Sequence, residues 1–222
     1  MSNELLSFDG IEKTFFGVRV LKQIRFSIGP GRIVGLVGEN GAGKSTLMNV
    51  LGGNLQPDAG TMRFNGAEFA PRNPIDAKAA GIGFVHQELN LFTNLSIAEN
   101  LFITDLPTAG PFIKRAESNR RATELLKSVG LNLSPETLVE RLSSGERQLV
   151  EIAHALSFDA RLLILDEPTT SLSARECERL FALIRQLRDA GHSIIFISHA
   201  LGDVLRLCDD LVALRDGELV GQ

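Results

Sequence analysis

The chain has 222 residues, 44% of them hydrophobic and 23% charged, with a formal net charge of −4 at pH 7. This is the balance of a soluble globular protein with room for a substantial core, and its acidic sign without any basic block argues against nucleic acid as the main partner. Two cysteines, Cys177 and Cys208, make no disulfide framework, no apolar run approaches the ~20 residues of a membrane span, and the N-terminus MSNELLSFDG lacks the basic start and apolar core of a signal peptide.

Residues 5 to 30 read as strands. Ile24, Phe26 and Ile28 alternate with Arg25 and Ser27, a half-buried antiparallel pattern. Lys13-Thr14-Phe15-Phe16-Gly17 lies between these strands. An aromatic there could stack on a nucleobase, but on composition alone Phe15 and Phe16 read as strand-end core residues. Gly29-Pro30-Gly31 turns the chain into the next strand.

The stretch from Ile33 to Gly53 organises the rest. Gly38, Gly43, Lys44 and Ser45 fit G-x-x-x-x-G-K-[ST], a phosphate-binding loop. Ile33, Val34, Leu36 and Val37 before it form a short apolar run, as a buried parallel strand does. Leu47, Met48, Val50 and Leu51 after it read as a helix stopped at Gly52-Gly53. The motif therefore stands between a strand and a helix. Its glycines let backbone N–H groups approach phosphate oxygens, and the helix N-terminus adds positive potential. Lys44 would reach the β- and γ-phosphates, and Ser45 would offer a hydroxyl to Mg²⁺.

Pro57-Asp58-Ala59-Gly60 reads as a turn, and Asn65-Gly66 after the alternating Thr61–Asn65 run as a hairpin. Ile82, Phe84 and Val85 form a strand ending at His86-Gln87-Glu88. A Gln there lies where parallel sheets bind ligands. From Leu89 to Arg141 the reading is a helical lobe. It holds a capping box at Ser96–Glu99, a loop from Thr104 to Pro111, and a helix carrying Ala122, Leu125, Leu126 and Val129. Ser143 with Glu146 is a second capping box, opening a helix with Leu149, Ile152, Ala153 and Leu156 on one face. His154 on that helix reads as satisfied near the core.

Leu162 to Leu165 is an apolar strand leading to Asp166-Glu167-Pro168. In a chain with a phosphate loop, Asp166 can hold the Mg²⁺ shell and Glu167 can reach an attacking water. Leu180, Leu183, Ile184 and Leu187 make a helix that Gly191 stops. Ile194 to Ile197 is a further strand, ending at Ser198-His199. His199 there could contact a γ-phosphate, whereas His192 reads as solvated. Leu211–Leu214 and Glu218–Val220 close the chain as a hairpin through Asp216-Gly217.

The ordered set GENGAGKST, Gln87, LSSGE, LLILDEP and His199 resembles the ATP-binding cassette ATPases over nearly the whole chain. VGENGAGKSTLM, GIGFVHQELNLF, LSIAENLF and ERQLVEIAHALSF resemble the N-terminal cassette of bacterial monosaccharide importers, in which the ATPase subunit usually carries two cassettes. This chain has room for one. The resemblance implies an α/β P-loop NTPase with a mainly parallel core at about 31–59, 76–88 and 150–222. It also implies an antiparallel β-subdomain at about 1–30 and 60–75, and an inserted helical subdomain at about 89–149.

It further implies ATP and Mg²⁺ as ligands. Phe15 matches the adenine-stacking aromatic, against the composition-only reading. Gly38, Glu39, Asn40, Gly41, Ala42, Gly43, Lys44, Ser45 and Thr46 match the phosphate binders. Ser45, Gln87 and Asp166 lie on the metal side. Glu167 matches the general base, His199 the switch histidine, and Gln87 belongs with them. Ser143, Ser144 and Gly145 match a signature that contacts ATP held by an opposite cassette.

The implied partners are a second cassette, transmembrane permease subunits and, indirectly, a sugar-binding protein. The implied place is the cytoplasmic side of the membrane, peripherally. The alternative class is a soluble cassette ATPase of a non-transport process. Two departures stand out. The signature carries Ser144 and Glu146 where Gly and Gln are commoner. The loop after Glu167 reads Ser171-Leu172-Ser173 where many cassettes end in an Asp that helps couple the two sites.

Overall fold

The computed structural model describes residues 4–87, 90–105, 107–109 and 112–222. Glu88, Leu89, and Leu106 and Gly110-Pro111 of the expected 104–111 loop lie outside the described residues, as do residues 1–3 of the first subdomain.

Strands β1 (Leu6–Phe15) and β2 (Val18–Ile28) lead to β3 (Ile33–Val37) and helix α1 (Lys44–Leu51). Then come β4 (Ala59–Phe64), β5 (Ala67–Glu68), α2 (Pro74–Ala79) and β6 (Ile82–Val85). A helical stretch follows, with α3 (Ile97–Leu101), the short strands β7 (Thr108–Ala109) and β8 (Phe112–Ile113), α4 (Arg115–Ser128) and α5 (Ser144–Leu156). The chain finishes with β9 (Leu162–Asp166), α6 (Ala174–Asp189), β10 (Ser193–Ile197), α7 (Leu201–Leu207), β11 (Asp210–Arg215) and β12 (Glu218–Gly221).

The central sheet runs β12-β11-β3-β10-β9-β6. Its neighbours are parallel except β11 with β12. Both faces are covered, which is why its strands are continuous apolar runs. Ile33, Leu163, Ile194 and Phe196 face one core, shared with Val150 and Ile152 of α5 and Phe181 of α6. Their neighbours Val34, Ile164, Ile195 and Ile197 face the other, shared with Leu47 and Val50 of α1 and with Leu6, Phe8 and Phe26. Those last residues belong to an antiparallel sheet ordered β2-β1-β4-β5. Its alternation is the expected one: Ile24, Phe26 and Ile28 are buried and Arg25 is exposed.

Local signals hold where chemistry is local. Ser96 and Ser143 each complete a capping box, with Glu99 and Glu146 bonding back to the cap. Asn65 and Gly66 both take positive φ, 52° and 78°, as a tight primed hairpin turn requires.

Several expectations are corrected. Phe16 is no core residue: it is fully exposed at the tip of the β1–β2 hairpin, with φ 49°. The 104–111 segment is not all loop, because Thr108–Ala109 pairs with Phe112–Ile113. His192 is not simply solvated, since its Nδ1 lies 2.7 Å from the Ala160 carbonyl. His154 is not satisfied among the described residues: its buried Nε2 has no partner, and burial lowers its pKa. The expected closing hairpin is present, with β11 antiparallel to β12, and β11 also joins the central sheet in parallel with β3.

Helices α2 and α7 have no counterpart in the sequence reading. Asn73 caps α2 by accepting from the Asp76 N–H, with Pro74 entering the first turn, and the helix straddles the expected boundary at 75/76. On α5, Glu151 is buried, its Oε1 has no hydrogen-bond partner among the described residues, and burial raises its pKa.

Candidate active site

Parallel strands β3, β6, β9 and β10 deliver their C-terminal ends to one edge of the sheet, where such sheets form ligand crevices. An open cavity of about 510 Å³ lies there. Asn40, Gly41, Ala42, Gly43, Lys44, Ser45 and Thr46 line it, with Gln87, Asp166, Glu167, His199 and Val20. Residues more than a hundred positions apart in sequence are thus brought around one space. Val20, from β2, carries no local signal that would have singled it out.

The phosphate loop is shaped for an anion. Gly43 sits at the N-cap of α1 with φ 102°, a left-handed conformation that other residues adopt only with strain. It brings no side-chain cap, and the first helical bond runs from the Leu47 N–H to the Gly43 carbonyl. The N–H groups of Lys44, Ser45 and Thr46 therefore have no acceptor within the helix, and the positive end of its dipole adds to them. Lys44 Nζ donates to the carbonyls of Gly38 at 2.6 Å and Glu39 at 3.1 Å, which places the Gly38–Glu39 backbone under the ammonium.

Opposite the loop stand two carboxylates. Asp166 ends β9, and burial raises its pKa, with the Glu167 charge adding to the rise and His86 and Lys44 opposing it. Glu167 follows with φ 49°, in the left-handed region, so its side chain leaves the strand direction. Its backbone N–H bonds the Ile197 carbonyl at 2.9 Å, which ties the end of β9 to β10. Oε1 accepts from the His199 backbone N–H at 3.0 Å. Oε2 lies 2.8 Å from His199 Nδ1, an ion-pair distance without hydrogen-bond direction, and has no hydrogen-bond partner among the described residues.

The residues on this side fit Mg²⁺. The Ser45 hydroxyl, the Gln87 amide oxygen and the Asp166 carboxylate are hard oxygen donors around one cavity. Among the described residues no group of His, Cys, Asp and Glu side chains is placed to hold a metal alone. A metal here would complete its shell with phosphate oxygens and waters, as Mg²⁺ usually does.

The structure does not bring every candidate together. Phe15 is half-buried at the end of β1 and does not line this cavity, and Lys13 Nζ lies 5.7 Å from its ring centre. Ser143 and Gly145 line a second cavity, of about 560 Å³, with Glu146, Leu172, Glu176 and Arg179. Ser144 is exposed at the start of α5. The signature segment is thus apart from the chain's own phosphate loop.

The ABC transporter family pattern matches residues 21–170. The arabinose import ATP-binding protein AraG of Pseudomonas savastanoi pv. phaseolicola (strain 1448A / Race 6) is 44% identical over 218 residues, covering 98% of this chain. The chain spans 43% of that relative's own length. Among solved structures, a nucleotide-free ATP-binding cassette from an ABC transporter superposes with a TM-score of 0.88 at 26% identity, covering 98% of this chain and 90% of its own. A dimeric cassette in a post-hydrolysis state, bound to ADP and Pi, gives 0.82 at 26% identity, with 97% of each chain covered. With the pattern over more than half of its length and such a relative along nearly all of it, this chain belongs to the ABC transporter family.

Proposed function

We propose that this chain is an ATP-hydrolysing cassette that powers import of a sugar through partner membrane subunits. The observation that carries the reading is the convergence of the phosphate loop, Gln87, Asp166, Glu167 and His199 on one cavity. ATP would lie with its phosphates on the amides of Gly38 to Thr46 and its adenine toward Phe15. Ser45, Gln87 and Asp166 would hold Mg²⁺, which when bound neutralises charge on the phosphates. Glu167 takes the proton of the attacking water, and its Oε2 is the oxygen left without a hydrogen bond. His199, fastened to Glu167 through its backbone, presents its exposed ring to the γ-phosphate.

Ser143, Ser144 and Gly145 serve ATP bound to a second cassette packed head to tail. Their distance from the chain's own phosphate loop supports this arrangement, as does the dimeric neighbour. The similarity to an arabinose import ATP-binding protein supports a sugar as the cargo. No helix among the described residues is long and apolar enough to cross a membrane. The chain is held at the cytoplasmic face by permease subunits, which receive sugar from a binding protein. The antiparallel sheet, the parallel core and the helical stretch around α3 to α5 act as three subdomains of one nucleotide-binding domain.

The test is Mg²⁺-dependent ATP hydrolysis by the purified chain as a function of its concentration. Turnover per chain should rise with concentration as composite sites form. Turnover that stays constant on dilution, or that needs no divalent cation, overturns the reading.

A further inference from the structure

Glu176 reaches two places at once. It stands in the first turn of α6, and its Oε2 accepts from the Ser173 backbone N–H at 2.9 Å and from the Ser173 hydroxyl at 2.7 Å. The same carboxylate packs against Gly145, in the first turn of α5, and both residues line one cavity. The approach is so close that a Cβ on Gly145 would stand 2.6 Å from Oε1. A side chain at that position would push the carboxylate away from the α5 N-terminus. One side chain therefore joins the N-terminus of α5 to the N-terminus of α6.

The α6 end of this tie is continuous with the loop of Glu167. Two turns carry the chain onward, Thr170 N–H to the Glu167 carbonyl at 3.4 Å and Leu172 N–H to the Thr169 carbonyl at 3.1 Å. Thr169 Oγ1 fastens the loop to Asp203 of α7 at 3.0 Å. The loop ends in Ser173, where the family resemblance implies an Asp that couples the two sites. A carboxylate is nevertheless present, three residues on, and it is directed at the signature.

We propose that Glu176 is a positioning residue that locks Ser143–Gly145 to the loop from Glu167 to Ser173. The base of one ATP site and the signature that serves the other then move as a unit. The contact suits this role because the carboxylate is itself held in place by two charge-assisted hydrogen bonds from Ser173. The inference rests on the composite-site reading above.

The test compares ATP turnover and nucleotide binding for the parent, Glu176→Ala and Glu99→Ala. Glu99 holds the equivalent place in the capping box of α3, so its loss matches the lost cap without touching Gly145. Glu176→Ala should lower kcat by about tenfold or more and bring the Hill coefficient for ATP towards one, with nucleotide Kd unchanged. Glu99→Ala should lower thermal stability and leave kcat and cooperativity as in the parent. Should Glu176→Ala fail to fold, Glu176→Asp keeps the charge but shortens the reach to Gly145, and must show the same loss. Parent-like kcat and cooperativity in the Glu176 variants, or an equal loss in Glu99→Ala, overturns the role. Raised turnover also overturns it, since the carboxylate would then be blocking the Gly145 amide. If the parent hydrolyses no ATP, the functional reading fails and this inference falls with it.

Discussion

Glu167 grips His199 at two points: Oε1 accepts from its backbone N–H at 3.0 Å, and Oε2 stands 2.8 Å from its Nδ1. One carboxylate therefore both fixes the end of β10 and faces the cavity. Glu167→Gln preserves the Oε1 acceptor but cannot take a proton from water. Hydrolysis should fall by ~10²–10⁴-fold, the usual contribution of a general base. Nucleotide binding should persist. Single-turnover hydrolysis alongside equilibrium binding checks this, and turnover close to the parent's would remove Glu167 from the role of base.

Lys44→Ala should weaken ATP binding. A charge-assisted bond is worth roughly 1.5–3 kcal/mol, or about 10- to 150-fold in affinity. The loop itself should persist, because its turn is closed by the Ala42 N–H on the Glu39 carbonyl without the lysine. Nucleotide titration with a circular-dichroism control decides it. Unchanged affinity would contradict the assignment of the phosphate site.

The neighbours Phe15 and Phe16 should separate cleanly. Phe15→Ala should lose ~1–3 kcal/mol of adenine stacking, and should weaken ATP more than a triphosphate of another base. Phe16 holds a left-handed backbone at an exposed hairpin tip, with Gly17 also at positive φ. Asn tolerates that conformation better, so Phe16→Asn should gain about 1 kcal/mol of stability, the order of cost of such strain. Nucleotide affinities of Phe15→Ala and thermal melts of Phe16→Asn are the measurements. A destabilised Phe16→Asn would mean that the ring makes a contact that its exposure denies.

Glu151 gives a pH signature. Burial raises its folded pKa above the unfolded value, so the folded state binds its proton more tightly. The penalty is absent below the unfolded pKa, grows as pH rises through the folded one, and is then complete. Glu151→Gln keeps nearly the same shape and carries no charge. The variant should gain stability over the parent as pH rises from acid to neutral, by a few degrees in Tm. Melts at matched pH values test it, and a difference that shrinks with rising pH refutes it.

What the sequence disclosed was mostly what neighbouring residues decide. Ser96 and Ser143 cap their helices because the partner Glu is three residues away, and Asn65-Gly66 turns because those two residues tolerate positive φ. The phosphate loop and the Asp166-Glu167 pair were legible for the same reason. Helix α2 escaped notice because six residues hold too few turns for periodicity, although Asn73-Pro74 was its signal. Helix α7 lacks a side-chain cap and exposes Leu201 and Leu205, so its apolar pattern points nowhere. The contacts of His192 with Ala160 and of Glu176 with Gly145 join segments about thirty residues apart, which no local pattern encodes. The parallel pairing of β11 with β3 is of the same kind.

That last pairing bears on how the protein comes into being. Strand β3 leaves the ribosome more than 150 residues ahead of both of its partners, β10 and β11. Chain synthesis proceeds at ~5–20 residues per second, so the nascent strand waits on the order of ten seconds with its two long edges unpaired. Such distant pairings fold slowly and leave strand edges open to wrong partners. The Gly38–Thr46 loop cannot assume its final support until the last strands have emerged. Nucleotide binding on that loop therefore comes only after β10 and β11 have paired with β3.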